Sequence, residues 1–454
     1  YLETVDEVAN WQTYAGTASP INFNGLVRQY YLRGEPYHGD IQVNLIHEEN
    51  RNRQSHDIAQ SLRDPLTEIG ERYGASVKIV EVPPGPPVLS PVVAEIYAVD
   101  EDRRAALARQ VAEGMTRVDG LVDIDTTLES PTRQWEVVVD RDRAARLGVS
   151  QAQVVAALQT ALGGTNVGFL HDDHAKYPVP IRVILGEGDK AQPSVLLSLK
   201  VRSRSGALVP LASIADVREA DWMGAIYHKD LLPVTYVTAD MAGEIDSPLY
   251  GMFAMVERLN QQAGAPEQYF IDQPPLPEKG TLKWDGEWQI TYETFRDMGA
   301  AYSVGVFMIF VLLVAQFRSY ILPLVIMAPI PLTLIGITPG HALLGREFTA
   351  TSMIGMIALA GIIVRNSILL VVFIRQLIEE GVELDEAVVL AGAVRIKPIA
   401  LTAISAMVGA YFILNDPIFN GLAISLVFGL AMSTLLTVLV VPLLYYTLAR
   451  CKWV

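Results

Sequence analysis

Cysteine is nearly absent: Cys451 is the only one in 454 residues, which excludes an internal disulfide and any CxxC metal or redox motif. There is no phosphate-binding P-loop and no GxSxG nucleophile elbow, so neither ATP hydrolysis nor covalent catalysis is indicated. No cofactor is expected. A net charge of −15 argues against nucleic acid as a partner. The apolar stretches of the C-terminal third contain no Asp or Glu.

What is present divides the chain sharply. Residues 1 to about 296 have the charged composition of a soluble α/β protein, and most residues from Met298 onward are apolar. Five spans are expected to cross a bilayer, Met298–Phe317, Ile321–Leu344, Phe348–Ile374, Ile399–Leu414 and Gly421–Tyr445. The second contains Pro323, Pro329, Pro331 and Pro339, which bundled membrane helices tolerate. Arg318, Arg375, Arg395, Lys397, Arg450 and Lys452 fall on one side of these spans. The positive-inside rule assigns that side to the cytoplasm and residues 1–290 to the opposite one.

One cation breaks the third span. Arg365 lies ten residues before Arg375, which places it about 15 Å inside the membrane end. A guanidinium keeps its proton and is costly in hydrocarbon, so it is expected to be paired and functional. With no carboxylate in the apolar spans, the partner is expected from helices outside this sequence. The chain opens on Tyr1 and reads as part of a longer protein.

The soluble region alternates strands and helices. Val8–Tyr14 and Ile41–Ile46 read as strands, Ser55–Tyr73 as a helix and Ser76–Val82 as a strand, ended by the turn-forming run Pro83 to Pro87. Val93–Val99, a helix over Asp102–Arg117, Val122–Thr126 and Trp135–Val139 repeat the order. A helix at Ser150–Leu162, a strand at Ile181–Leu185, a hairpin about Ser203–Gly206, a strand at Pro233–Met241 and a helix at Pro248–Gln262 follow. Two helices packed on one sheet face make ferredoxin-like units. His171 and His174 have chelating spacing but fall in a polar loop with no second cluster, so no metal site is expected. Gly421, Ser425, Gly429 and Ser433 recur every fourth residue on the last span, the spacing of close helix packing.

Several stretches together resemble the C-terminal half of a resistance-nodulation-division (RND) transporter, of the branch that exports hydrophobic and amphiphilic compounds. They are GIIVRNSILLVVF (Gly361–Phe373), VRIKPIALTAISAMVG (Val394–Gly409), GLVRQYYLR (Gly25–Arg33), VDRDRAARLGVS (Val139–Ser150), LVPLASIADV (Leu208–Val217) and the closing Gly421–Tyr446. The resemblance implies an α+β membrane protein with ferredoxin-like porter subdomains, a docking insertion and the last five of twelve transmembrane helices. Residues 1–91 would be a third porter subdomain lacking its opening strand and helix, and 92–140 with 231–290 a fourth. Residues 141–230 would be the docking subdomain and 291–454 the membrane domain. It further implies a proton-driven antiporter in the bacterial inner membrane, with the proton as coupling ion and multidrug resistance as its outcome. The implied partners are an N-terminal half, two further copies in a homotrimer, a periplasmic adaptor and an outer-membrane channel.

In such a pump Arg365 would pair with aspartates and take part in the proton relay, beside Asn366. Arg395 and Thr402 match a relay arginine and threonine, and their seven-residue spacing puts them on one helix face. Tyr14, Phe23, Tyr30 and Tyr31 fall where relatives line a substrate pocket with aromatics. Two alternatives stay open: metal-ion efflux, and a membrane-anchored receptor or scaffold that transports nothing.

Overall fold

The computed structural model describes residues 1–451 apart from positions 33, 36, 82–87, 130–132, 223, 244–246, 263, 275–278 and 417. The proline run at 83–87 lies outside the described residues. The chain forms two compact units, Tyr1–Thr127 with His228–Val454, and Leu128–Tyr227.

In the first unit, five strands lie side by side in the order His228–Lys229, Leu232–Met241, Val92–Tyr97, Thr281–Gly286 and Glu267–Tyr269, and Leu121–Thr126 also pairs with Leu232–Met241. All these pairs are antiparallel except the last two strands of the row. Val92–Tyr97 is buried at every residue, which fits a central strand covered on both faces. Helices Glu101–Met115 and Pro248–Asn260 cross the sheet and bury Leu107, Val111, Met115, Met252, Met255 and Leu259. The first starts where the Asp100 carboxylate accepts hydrogen bonds from the backbone N–H groups of Asp102 (2.8 Å) and Arg103 (3.2 Å). The second starts at Pro248, whose missing N–H costs nothing at that position.

Val8–Ala15 pairs with Gly39–Leu45 in a separate two-stranded sheet, and helix Ser55–Arg72 buries Ile58, Ala59 and Leu62. The segment from Ser76, expected as a strand, joins no ladder over its described residues. Its Lys78 ammonium instead donates to the Ile124 carbonyl at 2.8 Å, and Arg63 pairs with Asp123. Side chains, not a backbone ladder, tie this region to the Leu121–Thr126 strand.

The second unit pairs Arg133–Val139 with Ala215–Asp221 along their whole length. Trp135–Val139 was expected to belong with the preceding strands, and its distant partner Ala215–Asp221 draws it into this unit instead. Helix Gln151–Leu162 opens on a Ser150–Gln153 capping box, and Val154, Val201, Val209, Leu211 and Ile214 form the core. The hairpin at Ser203–Gly206 is present, with Gly206 at φ 87°.

Among the described residues, five helices are long and apolar enough to span a membrane: Glu287–Phe317, Ile321–Leu343, Ala350–Glu379, Leu384–Tyr411 and Asn420–Arg450. The first starts at Glu287, well before the apolar stretch, because it continues directly from the Thr281–Gly286 strand. Gly286 makes the joint with φ 78°, and a Cβ there would lie 2.6 Å from the Pro91 carbonyl oxygen. The second is broken near Ala328 and Thr333 beside Pro329 and Pro331. The fourth starts at Leu384, so Arg395 and Lys397 lie within a helix and not in a connection. The third and fifth pack most closely, since a Cβ on Gly421 would meet Ser352 Oγ at 2.4 Å and one on Gly429 would meet Leu359 at 2.4 Å.

Candidate functional site

The third spanning helix has two faces. Ser352, Gly355, Leu359, Ile363, Asn366, Leu370 and Ile374 are buried, and a Cβ on Gly355 would sit 2.7 Å from Ser425 Cβ of the fifth helix. The opposite stripe exposes Ile354, Ile357, Gly361, Arg365, Leu369 and Val372, spaced three or four residues apart. Arg365 is thus on the outward stripe, fifteen residues and about 22 Å from the helix start, at mid-helix. It lines a shallow cavity of about 320 Å³ with Ile309 of the first spanning helix and Gly361, Val364, Ile368 and Leu369 of its own. Every other lining side chain is apolar. Among the described residues Arg365 makes no ion pair.

Asn366 points away from it and is 4% exposed, so the structure puts these two expected relay residues on different faces. Arg395 is half-buried on the fourth spanning helix. Its guanidinium lies 4.7 Å from the ring centroid of Phe373, and its Nε is buried without a hydrogen-bond partner. Phe373 belongs to the third helix and was not singled out from sequence; its place two residues before Arg375 gave no signal of a cation partner. The Thr402 hydroxyl donates to the Ile399 carbonyl at 2.9 Å, a bond within its own helix.

The four aromatic positions lie on three short elements. Tyr14 lies on the Val8–Ala15 strand and its hydroxyl donates to Gln12 Oε1 at 2.7 Å. Phe23 starts a short helix, Phe23–Val27, and Tyr30 and Tyr31 form a turn of 3₁₀-helix, Tyr30–Leu32. Phe23 and Tyr31 are exposed, at 54% and 45%. His171 and His174 lie in an exposed loop, and among the described residues no group of three His, Cys, Asp or Glu is placed to hold a metal ion.

One strand carried a mark that the pattern reading passed over. Glu95 is the single acid in the buried run VVAEIY. It is fully buried, with charged neighbours on two other strands.

The arrangement in the membrane helices is an unneutralised cation in an apolar cavity on an outward face. Such a charge can pair with a carboxylate supplied from outside these helices, and its distance then sets that carboxylate's affinity for a proton.

A family description, AcrB/AcrD/AcrF, matches residues 3–449. The swarming motility protein SwrC of Bacillus subtilis is 27% identical over 365 residues, covering 79% of this chain and 33% of that protein. The cobalt-zinc-cadmium resistance protein CzcA of Cupriavidus metallidurans is 25% identical over 368 residues, with the same coverage of 79% and 33%. The chain therefore spans about a third of the length of these curated relatives. Two crystal forms of a heavy metal efflux pump match 99% of the chain with TM-scores of 0.72 and 0.70, at 21% and 22% identity, and the chain covers 45% and 44% of them. At that identity the likeness establishes the fold alone.

Proposed function

This chain belongs to the AcrB/AcrD/AcrF family, the RND efflux pumps, and from that premise we propose that it forms the C-terminal half of a proton-driven exporter of divalent metal cations. The observation that carries the coupling is Arg365, a charge at mid-helix with apolar neighbours and an outward face. An anchor for a receptor or scaffold gains nothing from a mid-membrane cation, whereas an ion-coupled pump needs a titrating carboxylate whose proton affinity a cation controls.

The amphiphile substrate expected from sequence gains no support from the relatives, and the metal alternative gains more. CzcA is by its name a cobalt, zinc and cadmium resistance protein, and the matched structures are of a heavy metal efflux pump. In this reading the first unit contributes porter subdomains and the membrane domain, and the second unit contributes the docking subdomain. The protein acts in the inner membrane as a trimer with an adaptor and an outer-membrane channel, and the large N-terminal region is periplasmic.

The test reconstitutes the full-length protein in liposomes with an imposed pH gradient. Zinc, cobalt or cadmium should accelerate dissipation of the gradient and move across the membrane with it. Gradient dissipation driven by a fluorescent amphiphile and by none of the metals would restore the amphiphile reading. No substrate-driven proton movement at all would leave the receptor or scaffold.

A further inference from the structure

Glu95 lies at the centre of the six-stranded sheet with no exposed surface. A charge in that position is costly unless it is paired and hydrogen-bonded. The strand register supplies the partners, because Lys283 and Tyr236 stand directly opposite Glu95 on the two neighbouring strands and their side chains share its face. The Tyr97 hydroxyl donates to Glu95 Oε2 at 2.9 Å, and the Lys283 ammonium lies 3.6 Å from the same oxygen. From the short His228–Lys229 strand, the Lys229 ammonium donates to Glu95 Oε1 and to Asp285 Oδ2 at once. The carboxyl groups of Glu95 and Asp285 thus meet at one ammonium. Asp230 is the remaining charged group acting on Tyr236.

Two carboxylates gathered at one buried ammonium repel each other, which favours a proton on one of them. The environment chooses which. Burial pushes Glu95 up, and Asp285 adds to this against the pull of Lys229 and Lys283. Burial also acts to raise Asp285, but its interactions with Glu95 and Lys229 and the two lysine charges outweigh it, leaving Asp285 below its ordinary range. The proton belongs on Glu95.

We propose that Glu95 and Asp285 form a proton-binding pair inside the sheet, holding one proton between them with Lys229 as a tethered counter-cation. The pair is placed where a proton has mechanical consequences. Lys229 immediately precedes the turn residues Asp230 and Leu231, both left-handed at φ 50° and 67°, and Leu231 is 94% exposed. Asp285 immediately precedes Gly286, the close-packed joint from which the first spanning helix starts. Gain or loss of one proton changes the charge balance between the strand that enters the sheet there and the strand that leaves it for the membrane. This site is separate from Arg365 and does not depend on which substrate is carried.

The test is infrared difference spectroscopy of the full-length protein in detergent, titrated from acid to alkaline pH. A protonated-carboxyl band should persist above the ordinary range of an aspartate or glutamate, and Glu95→Gln should remove it. Asp285→Asn removes the like charge, so the lysines should ionise Glu95 and the band should disappear at lower pH than in the parent. Lys229→Met removes a cation and should carry the band to higher pH. These opposite shifts are not expected of a fixed salt bridge, and either of these two variants decides the matter if Glu95→Gln fails to fold. A parent protein with no carboxyl band above the ordinary range would overturn the proposal. So would a band that Glu95→Gln leaves in place, or one that the other two variants shift in the same direction.

Discussion

The six-stranded sheet and the third spanning helix each place a charge among apolar residues, and they treat it in opposite ways. In the sheet, Glu95 is met by two lysines, a tyrosine and an aspartate, all drawn from this chain. In the helix, Arg365 faces outward into a cavity whose other lining is apolar, and among the described residues it has no ion pair. The sheet is electrostatically complete. In the sheet the counter-charges come from this chain, whereas in the proposed pump the helix takes its counter-charge from outside it.

Breaking the complete cluster should cost most. Glu95→Ala leaves the buried Tyr97 hydroxyl and the Lys229 ammonium without their acceptor, a loss of about 1–3 kcal/mol for each unsatisfied group. Thermal unfolding of the extramembrane region, followed by limited proteolysis, should move to markedly lower temperature. Arg365→Ala should leave the same transition in place.

The membrane side of the comparison sharpens at Gly355. Valine there forces atoms against Ser425 and the Leu422 carbonyl oxygen, which a Cβ would already approach to 3.0 Å. Overpacking of this kind costs about 1–3 kcal/mol. Assembly in detergent should weaken, while a change at the outward-facing Leu369 should be tolerated.

Leu231→Gly should act the other way. Relief of a left-handed leucine is worth about 1–2 kcal/mol, so the hairpin next to Lys229 should gain hydrogen-exchange protection. Reduced protection would mean that the Leu231 side chain contributes more than its backbone strain costs.

The smallest effect concerns Asp140 in the second unit. Hydrogen bonds from the backbone N–H of Arg143, with the Arg143 charge, hold its carboxyl below the usual range against the opposing effect of burial. A depressed folded-state value means that the stabilisation is complete above the unfolded aspartate's titration and is lost as pH falls through the folded value. Acid should therefore loosen helix Arg141–Arg146 in the parent, and Asp140→Asn should show a weaker pH response by hydrogen exchange.

Much of this was legible in the sequence because periodicity reports burial. The alternation in Ile41–Ile46 and the apolar lengths from Ile321 and Phe348 located their elements within a few residues. Helix ends were less legible. Hydropathy does not register the polar start EWQITYETFRD of the first spanning helix, and it truncated the fourth at Ile399. Long-range pairing was hidden too, since nothing local in Arg133–Val139 indicates Ala215–Asp221 as its partner. Arg365 could be found because a cation interrupts hydrocarbon. Glu95 was harder to find, because one acid in a six-residue strand has the same pattern as an exposed position. The outward direction of Arg365 and the inward direction of Asn366 needed the helix packing itself.

The most direct measurement compares Arg365→Ala with the parent in the same liposomes, with trimer content and unfolding temperature checked in parallel. The parent should couple substrate movement to the pH gradient. The variant should assemble and unfold as the parent does and yet show no substrate-driven proton movement. Arg365→Lys, which keeps the charge but loses the planar fork, should retain part of the coupling. An assembled Arg365→Ala protein that couples at the parent rate would show that the outward arginine is a packing residue and contradict the contrast drawn between helix and sheet.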